Sequence, residues 1–477
     1  MIGAKRFPEI ARSRGKSMQE FPQSTHRGRT MPRKAGALLV MAILLVLRCV
    51  AAAQGVKDPG VRGGPAGAGG PLPALTSDEL AFFQAGLAAF LEVETVTNGL
   101  GPRFNLDSCG GCHVQPTTGG SSPSVNPEIA VATKAGAKNV VPPFTTLNGP
   151  VREARFKFKA DRTRDGGVHD LFTIAGRTDA PGCVLAQPDF KREAARKNVI
   201  FRIPTPVFGA GLIEEIPDAT IIAKLESERP RRAAMGIAGR PNRQGPGRAN
   251  TSSNDGSITR FGWKAQNKSL LIFAGEAYNV EMGITNELFQ TERDETPTCL
   301  FNGTPENKTN FGAATVAEAL SDITKFAAFM RLLAPPEPAA ETPSSARGRS
   351  VFTEIGCALC HTPSLTTGRS SSAALSEKPV RLFSDLLLHR MGPRLADDIV
   401  QGVAGPDEFR TAPLWGLGQR IFLLHDGRTT DLVEAIAAHA SRGDGRFRPS
   451  EANAVIARFR ALGSAKKQDL VNFLRSL

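Results

Sequence analysis

Four cysteines and two histidines are spaced so that together they could do chemistry: Cys109-Gly-Gly-Cys112-His113 and Cys357-Ala-Leu-Cys360-His361. Residues i and i+3 of a helical turn lie on one side. Both thiols of each set can therefore bond to one flat ligand carrying two vinyl groups, and the next His faces the metal at its centre. C-x-x-C-H is the attachment signature of c-type haem, with the His as proximal iron ligand. A thioredoxin-like dithiol would need a βαβ setting, which is missing here, and has no use for the His. A zinc site joining the pairs would consume all four cysteines and leave both His unexplained. The pattern predicts two covalently bound haem c groups, held by Cys109, Cys112, Cys357 and Cys360, with His113 and His361 as iron ligands.

What such a centre does depends on the position opposite the His. A Met there raises the potential and suits electron transfer, whereas an open position admits peroxide. Of the eight methionines, Met235, Met282, Met330 and Met391 lie outside the first 53 residues. Met391 is the candidate ligand of the second iron, with core packing as its alternative; His389, two residues earlier, competes for that place. His169 reads as a surface-loop residue, with displaceable ligation as the alternative. Trp263 and Trp415 are the only tryptophans, suited either to core packing or to an electron path between the haems. Arg202, Arg410 and Arg428 are candidate partners for haem propionates. Cys183 and Cys299 remain, and whether they pair is open.

The elements that must position these residues are mostly helical. The stretch 77–94 has Ser77 as expected N-cap, Glu79 behind it and apolar residues at helical spacing. Residues 313–333 read as one long amphipathic helix; others are expected at 346–355, 432–439 and 467–477. Strand signals are few and short. The class is mainly α with much irregular loop, arranged as two cytochrome c-type haem domains. The first spans 77–333 with a loop-rich insertion at about 120–255, the second 347–477, and a Pro-rich linker at 334–346 joins them. With 48 Gly, 34 Pro and 6% aromatic residues, a coiled coil, a collagen-like chain and a wholly disordered chain are excluded.

Residues 1–53 read as a leader. Arg33 and Lys34 precede an apolar run at 35–47 and small residues at 50–53, the pattern of a secretory signal peptide, with Met31 fitting a start better than Met1. The run is shorter than the roughly 20 residues a spanning helix needs. An uncleaved anchor is the alternative; after cleavage no stable membrane span is expected. A flexible Gly/Pro/Ala-rich linker follows at 54–76. The chain is thus expected in the periplasm or otherwise exported, where thiols are oxidised. The leader also carries ten Lys/Arg against two Glu, most of the formal charge of +13. The remainder has no basic cluster with interleaved aromatics, so no nucleic-acid partner is expected.

Several further segments carry a family resemblance: GLGPRFN at 99–105, RIPTPVFGAGLIEE at 202–215, RFGWKA at 260–265, DLLLHRMG at 385–392, RTAPLWG at 410–416 and LHDGR at 424–428. Through them the chain resembles the dihaem oxidoreductases, a peroxidase-like group also called thiol oxidoreductases, distantly related to bacterial dihaem cytochrome c peroxidase. The thiol name has no support here beyond the haem cysteines. The stretch at about 120–255 has no counterpart in the smaller peroxidases. The resemblance implies that Glu281, in Asn279-Val-Glu-Met-Gly283, sits above a peroxidatic iron and relays a proton between peroxide oxygens, with Tyr278 in the same pocket. It also implies hydrogen peroxide as substrate and a small redox protein, a cytochrome c or a cupredoxin, as electron partner. The competing readings are a non-catalytic electron-transfer dihaem cytochrome and a haem oxidase acting on a protein or organic substrate.

Overall fold

A computed structural model of the chain describes residues 55–477, apart from 102, 103, 105, 138, 139, 165–167, 170–176, 244–257, 292–295, 302 and the side chains of 168 and 169. The expected leader, Arg103 and Asn105 of the GLGPRFN segment and the His169 side chain lie outside the described residues. Thirteen α-helices occur among those described. The first seven are α1 Ser77–Leu91, α2 Cys109–Cys112, α3 Glu128–Lys134, α4 Phe190–Ala195, α5 Ala210–Glu214, α6 Asp218–Ala234 and α7 Leu270–Met282. The rest are α8 Val316–Ala319, α9 Asp322–Leu332, α10 Pro343–Ile355, α11 Leu432–Ala438, α12 Asn453–Ala461 and α13 Ser464–Ser476. Strands are short, as expected. β1 Glu153–Phe156 lies between β2 Val168–His169 and β3 Val199–Arg202, antiparallel to both. Three two-stranded ladders follow, the last pairing Leu388–Arg390 with Glu408–Arg410 so that His389 stands opposite Phe409.

Two helix crossings organise the core, and they are built alike. α1 crosses α9 at Gly86, where a Cβ would lie 2.3 Å from the Lys325 carbonyl oxygen. α10 crosses α13 at Gly348, where a Cβ would lie 2.0 Å from the Asp469 carbonyl oxygen. Only glycine lets the backbones approach so closely. Around the first crossing Phe83, Phe90, Tyr278, Phe326 and Phe329 are buried in one cluster; around the second, Phe352, Leu432, Leu470 and Phe473 share another. Fully burying such a side chain stabilises the fold by about 1.5–3 kcal/mol. The whole of 55–477 forms one compact unit.

Local chemistry moves several boundaries away from expectation. The cap of α1 is Thr76, not Ser77: its hydroxyl accepts from the Glu79 amide while the Glu79 carboxylate accepts from the Thr76 amide. The stretch 313–333 is two helices rather than one. Thr315 and Glu318 cap α8 reciprocally, and Leu320 and Ser321 adopt extended backbone before α9 begins. The stretch 120–255 is less irregular than its sequence suggests. It carries α3 to α6, and α6 runs 17 residues with Pro230 inside it. Residues 55–76, read as a linker, lie along the body. Asp58 forms a buried ion pair with Arg475 at 2.6 Å, and the Leu72 amide donates to the Leu332 carbonyl. Among the described residues, no helix is long and apolar enough to cross a membrane.

Candidate functional site

Each C-x-x-C-H motif follows one of the crossing helices and closes into the same tight turn. Ser108 caps α2 by accepting from the Gly110 amide, and the His113 amide donates to the Cys109 carbonyl at 3.0 Å. At the second motif, Gly356 ends α10 in the left-handed region (φ 103°). The chain then turns so that the His361 amide donates to the Cys357 carbonyl at 2.9 Å. Phe90 of α1 lies edge-on to the His113 ring at 5.9 Å; Phe352 of α10 lies 6.5 Å from the His361 ring. Both His spend Nδ1 on a backbone carbonyl, Gly120 at 2.9 Å and Phe383 at 3.1 Å. That pairing fixes a ring and leaves Nε2 for a metal.

At the first motif, Cys109, Cys112 and His113 line a cavity together with Ala274, Tyr278 and Glu281 of α7 and with Trp263. Glu281 of the NVEMG segment thus lines the same cavity as the motif. Burial, reinforced by Glu153 and partly opposed by Arg155, pushes the Glu281 carboxyl up to about 8. Its charge reaches both motif thiols, which burial itself raises above their ordinary range. Tyr278 lines the same cavity, and its hydroxyl donates to Glu94, which burial raises to about 7. Glu94 carried no sequence signal.

At the second motif, burial, and then the neighbouring His439, pull His361 down to about 4, so its imidazole is neutral. His389 lies 3.7 Å from the Cys360 sulfur, but both its nitrogens face carboxylates: Nδ1 to Glu451 at 2.8 Å and Nε2 to Asp385 at 3.0 Å. With Arg232 also 3.0 Å from Asp385, His389 belongs to a buried charge network. Met391 follows the Leu388–Arg390 strand, half-buried, with its amide donating to the Asp407 carbonyl.

The arginines separate by partner. Arg202 pairs with Asp397 at 2.7 Å and Arg428 with Asp426 at 2.6 Å. Arg410 donates through Nε to the Gly262 carbonyl and keeps a buried η nitrogen without a partner. Burial, then mutual repulsion with Arg420, pulls Arg410 down to about 10; Arg420 falls likewise, by burial and then Arg475. Among the described residues, no carboxylate pairs with Arg410 or Arg420. They line a second pocket with Trp415 and Trp263, and Trp263 also lines the first cavity. A buried and a half-buried guanidinium, neither paired with a carboxylate, fit a haem's propionates.

The residues fit haem c better than the other chemistries of paired cysteines. Burial raises Cys109, Cys112 and Cys357, the reverse of the lowered thiol of a redox dithiol. Among the described residues, no group of three or more His, Cys, Asp and Glu is arranged to hold a bare metal ion. Cys183 and Cys299, 116 residues apart, form a disulfide.

Comparison with known proteins bears on the same point. The model of the family described as "Di-haem oxidoreductase, putative peroxidase" matches residues 165–477, which include the second motif but not the first. No curated protein matches. Among solved structures, a MauG-like protein associated with microbial copper homeostasis is 19% identical with a TM-score of 0.23, over 33% of this chain and 52% of that one. The diheme peroxidase BthA from Burkholderia thailandensis is 16% identical with a TM-score of 0.28, over 46% of this chain and 65% of that one. A Kuenenia stuttgartiensis hydrazine synthase chain is 13% identical with a TM-score of 0.33, over 89% of this chain and 98% of that one. The chain thus spans about half of the MauG-like protein and under two thirds of BthA.

Proposed function

Because the chain belongs to the di-haem oxidoreductase family, we propose that it is an exported c-type cytochrome enzyme that reduces hydrogen peroxide at its first C-x-x-C-H site. One observation supports this above the rest: Glu281 lines the same cavity as Cys109, Cys112 and His113. Haem c, bound through thioethers at each motif, supplies the iron for peroxide reduction and a route for electrons from the second site to the first. His113 and His361 would hold the irons, and the cysteine thiols of each motif would carry the haem. Glu281 takes a proton from one peroxide oxygen and returns it to the other, so that the O–O bond breaks with water leaving. Two electrons from a small cytochrome c or cupredoxin, with two protons, turn each peroxide into two waters. A carboxyl near 8 is matched to that relay at neutral pH, where both of its forms are accessible. Trp263 and Trp415 line the pocket beside the first cavity and suit an electron path. The Cys183–Cys299 disulfide supports export, because such bonds persist in oxidising compartments.

Glu281→Gln tests the reading. Positioned acid–base catalysis contributes about 10²–10⁴-fold in rate. Peroxide turnover should fall by roughly that factor, with two haems still attached by intact mass. Unchanged turnover would exclude the relay. A wild type without turnover, and with both irons low-spin in every redox state, would instead make the chain an electron-transfer cytochrome.

A further inference from the structure

The His361 and His439 rings lie edge-on to one another with centroids 6.5 Å apart and planes at 61°. A metal–imidazole bond is about 2 Å and a ring nitrogen lies roughly 1 Å from its centroid, so two imidazoles on opposite sides of one metal have centroids about 6 Å apart. The spacing therefore leaves room for one metal centre and little else.

The hydrogen bonds agree. His439 stands just past the end of α11, and its Nδ1 donates to the Ala435 carbonyl at 2.8 Å, as that of His361 does to Phe383. Neither Nε2 has a partner among the described residues. A metal-binding His characteristically anchors its second nitrogen in this way. Val433 and Ile436, six and three residues before His439 on one stripe of α11, pack against the core that also receives Cys357 and Cys360. The same helix face that carries His439 is thus directed at the second motif.

Among the described residues, His389 and His425 are otherwise engaged. His389 has carboxylates on both nitrogens. His425 stacks on Phe409 at 4.5 Å and lies edge-on to Trp263. On the reading that haem c is attached at Cys357 and Cys360, we propose that His439 is its second axial ligand, opposite His361. Two imidazoles leave the second iron no open position and give it a lower potential than a His/Met pair would. The second site is then an electron port closed to peroxide, and Met391 is not its ligand.

The test compares the full-length haem-loaded protein as wild type, His439→Ala, His439→Met and Met391→Ala, counting haems by intact mass. The wild type should give a bis-imidazole low-spin ferric signal in electron paramagnetic resonance. His439→Ala should turn that haem high-spin, and added imidazole should restore the low-spin signal. His439→Met should bring in a sulfur-to-iron charge-transfer band and raise the potential of that haem. Met391→Ala should change none of these. An unaltered low-spin signal and potential in His439→Ala, with both haems attached, would overturn the assignment. If the Ala variant does not fold, a Met variant with neither the band nor the raised potential overturns it equally. A wild type without haem at Cys357 and Cys360 would be a failure of the underlying reading, visible in the mass alone.

Discussion

The two motif regions share a scaffold and differ in what faces the His. Both use a helix crossing pinched at a glycine, a phenylalanine beside the imidazole and a carbonyl holding Nδ1. Beside His113 the chain sets a cavity with Glu281 on its wall; across from His361 it sets another imidazole. On the proposed reading, the attachment motif would set where a haem goes, and the residue supplied from a distant helix would set what it does. α7 brings Glu281 to the first site, and the end of α11 brings His439 to the second.

Removing one motif at a time breaks the comparison most severely. Cys109→Ser with Cys112→Ser should eliminate peroxide turnover and leave one low-spin haem by mass and spectrum. Cys357→Ser with Cys360→Ser should leave a haem that still binds peroxide but accepts electrons poorly from a protein donor. Equivalent behaviour of the two double variants would dissolve the distinction between the sites.

A smaller effect concerns pH. Glu281 accepts a proton only when ionised, and its carboxyl is raised to about 8, so the ionised fraction grows as pH rises through that value. Turnover should climb about tenfold per pH unit below this point and level off above it, as expected for an essential base. Glu281→Gln should remove that limb of the profile. A wild-type profile flat from neutral to alkaline pH would assign the proton relay elsewhere.

The smallest effects sharpen the likeness of the scaffolds. Gly86→Ala and Gly348→Ala each drive a Cβ into a backbone carbonyl, at 2.3 and 2.0 Å, and the helices must separate. Overpacking of this kind costs about 1–3 kcal/mol. Both variants should unfold at lower temperature, with Gly348→Ala perturbing only the spectrum of the second haem. An unchanged midpoint in either would mean that its helices can slide apart without cost.

What could be read from the sequence follows from how locally each feature is encoded. The motifs occupy five consecutive residues and need no tertiary information. Glu281 was legible only through its NVEMG setting, because an isolated carboxylate at the end of a helix resembles any solvated one. His439 was passed over as the last residue of a helix, since its meaning depends on a fold that returns α11 to the Cys357 turn. The polar, Pro-containing sequence of α6 looks like loop until the chain around it is folded. The break between α8 and α9 hides in an amphipathic pattern that continues through Leu320 and Ser321. Arg410 fell within a legible segment, whereas Arg420, its neighbour in charge, is marked by nothing in the sequence around it.

The buried pair of Asp58 and Arg475 has a consequence for how the chain is completed. Its partners are 417 residues apart, and closing so long a loop is disfavoured until other contacts have brought the ends together. Synthesised from its N-terminus, the chain carries Asp58 long before Arg475 exists. The residues around Asp58 therefore seat only after the last helix exists, whereas Leu72 can find Leu332 earlier. On the proposed reading, haem attachment at both cysteine turns would precede that final latch, while the motifs are still within reach of the machinery that delivers the cofactor.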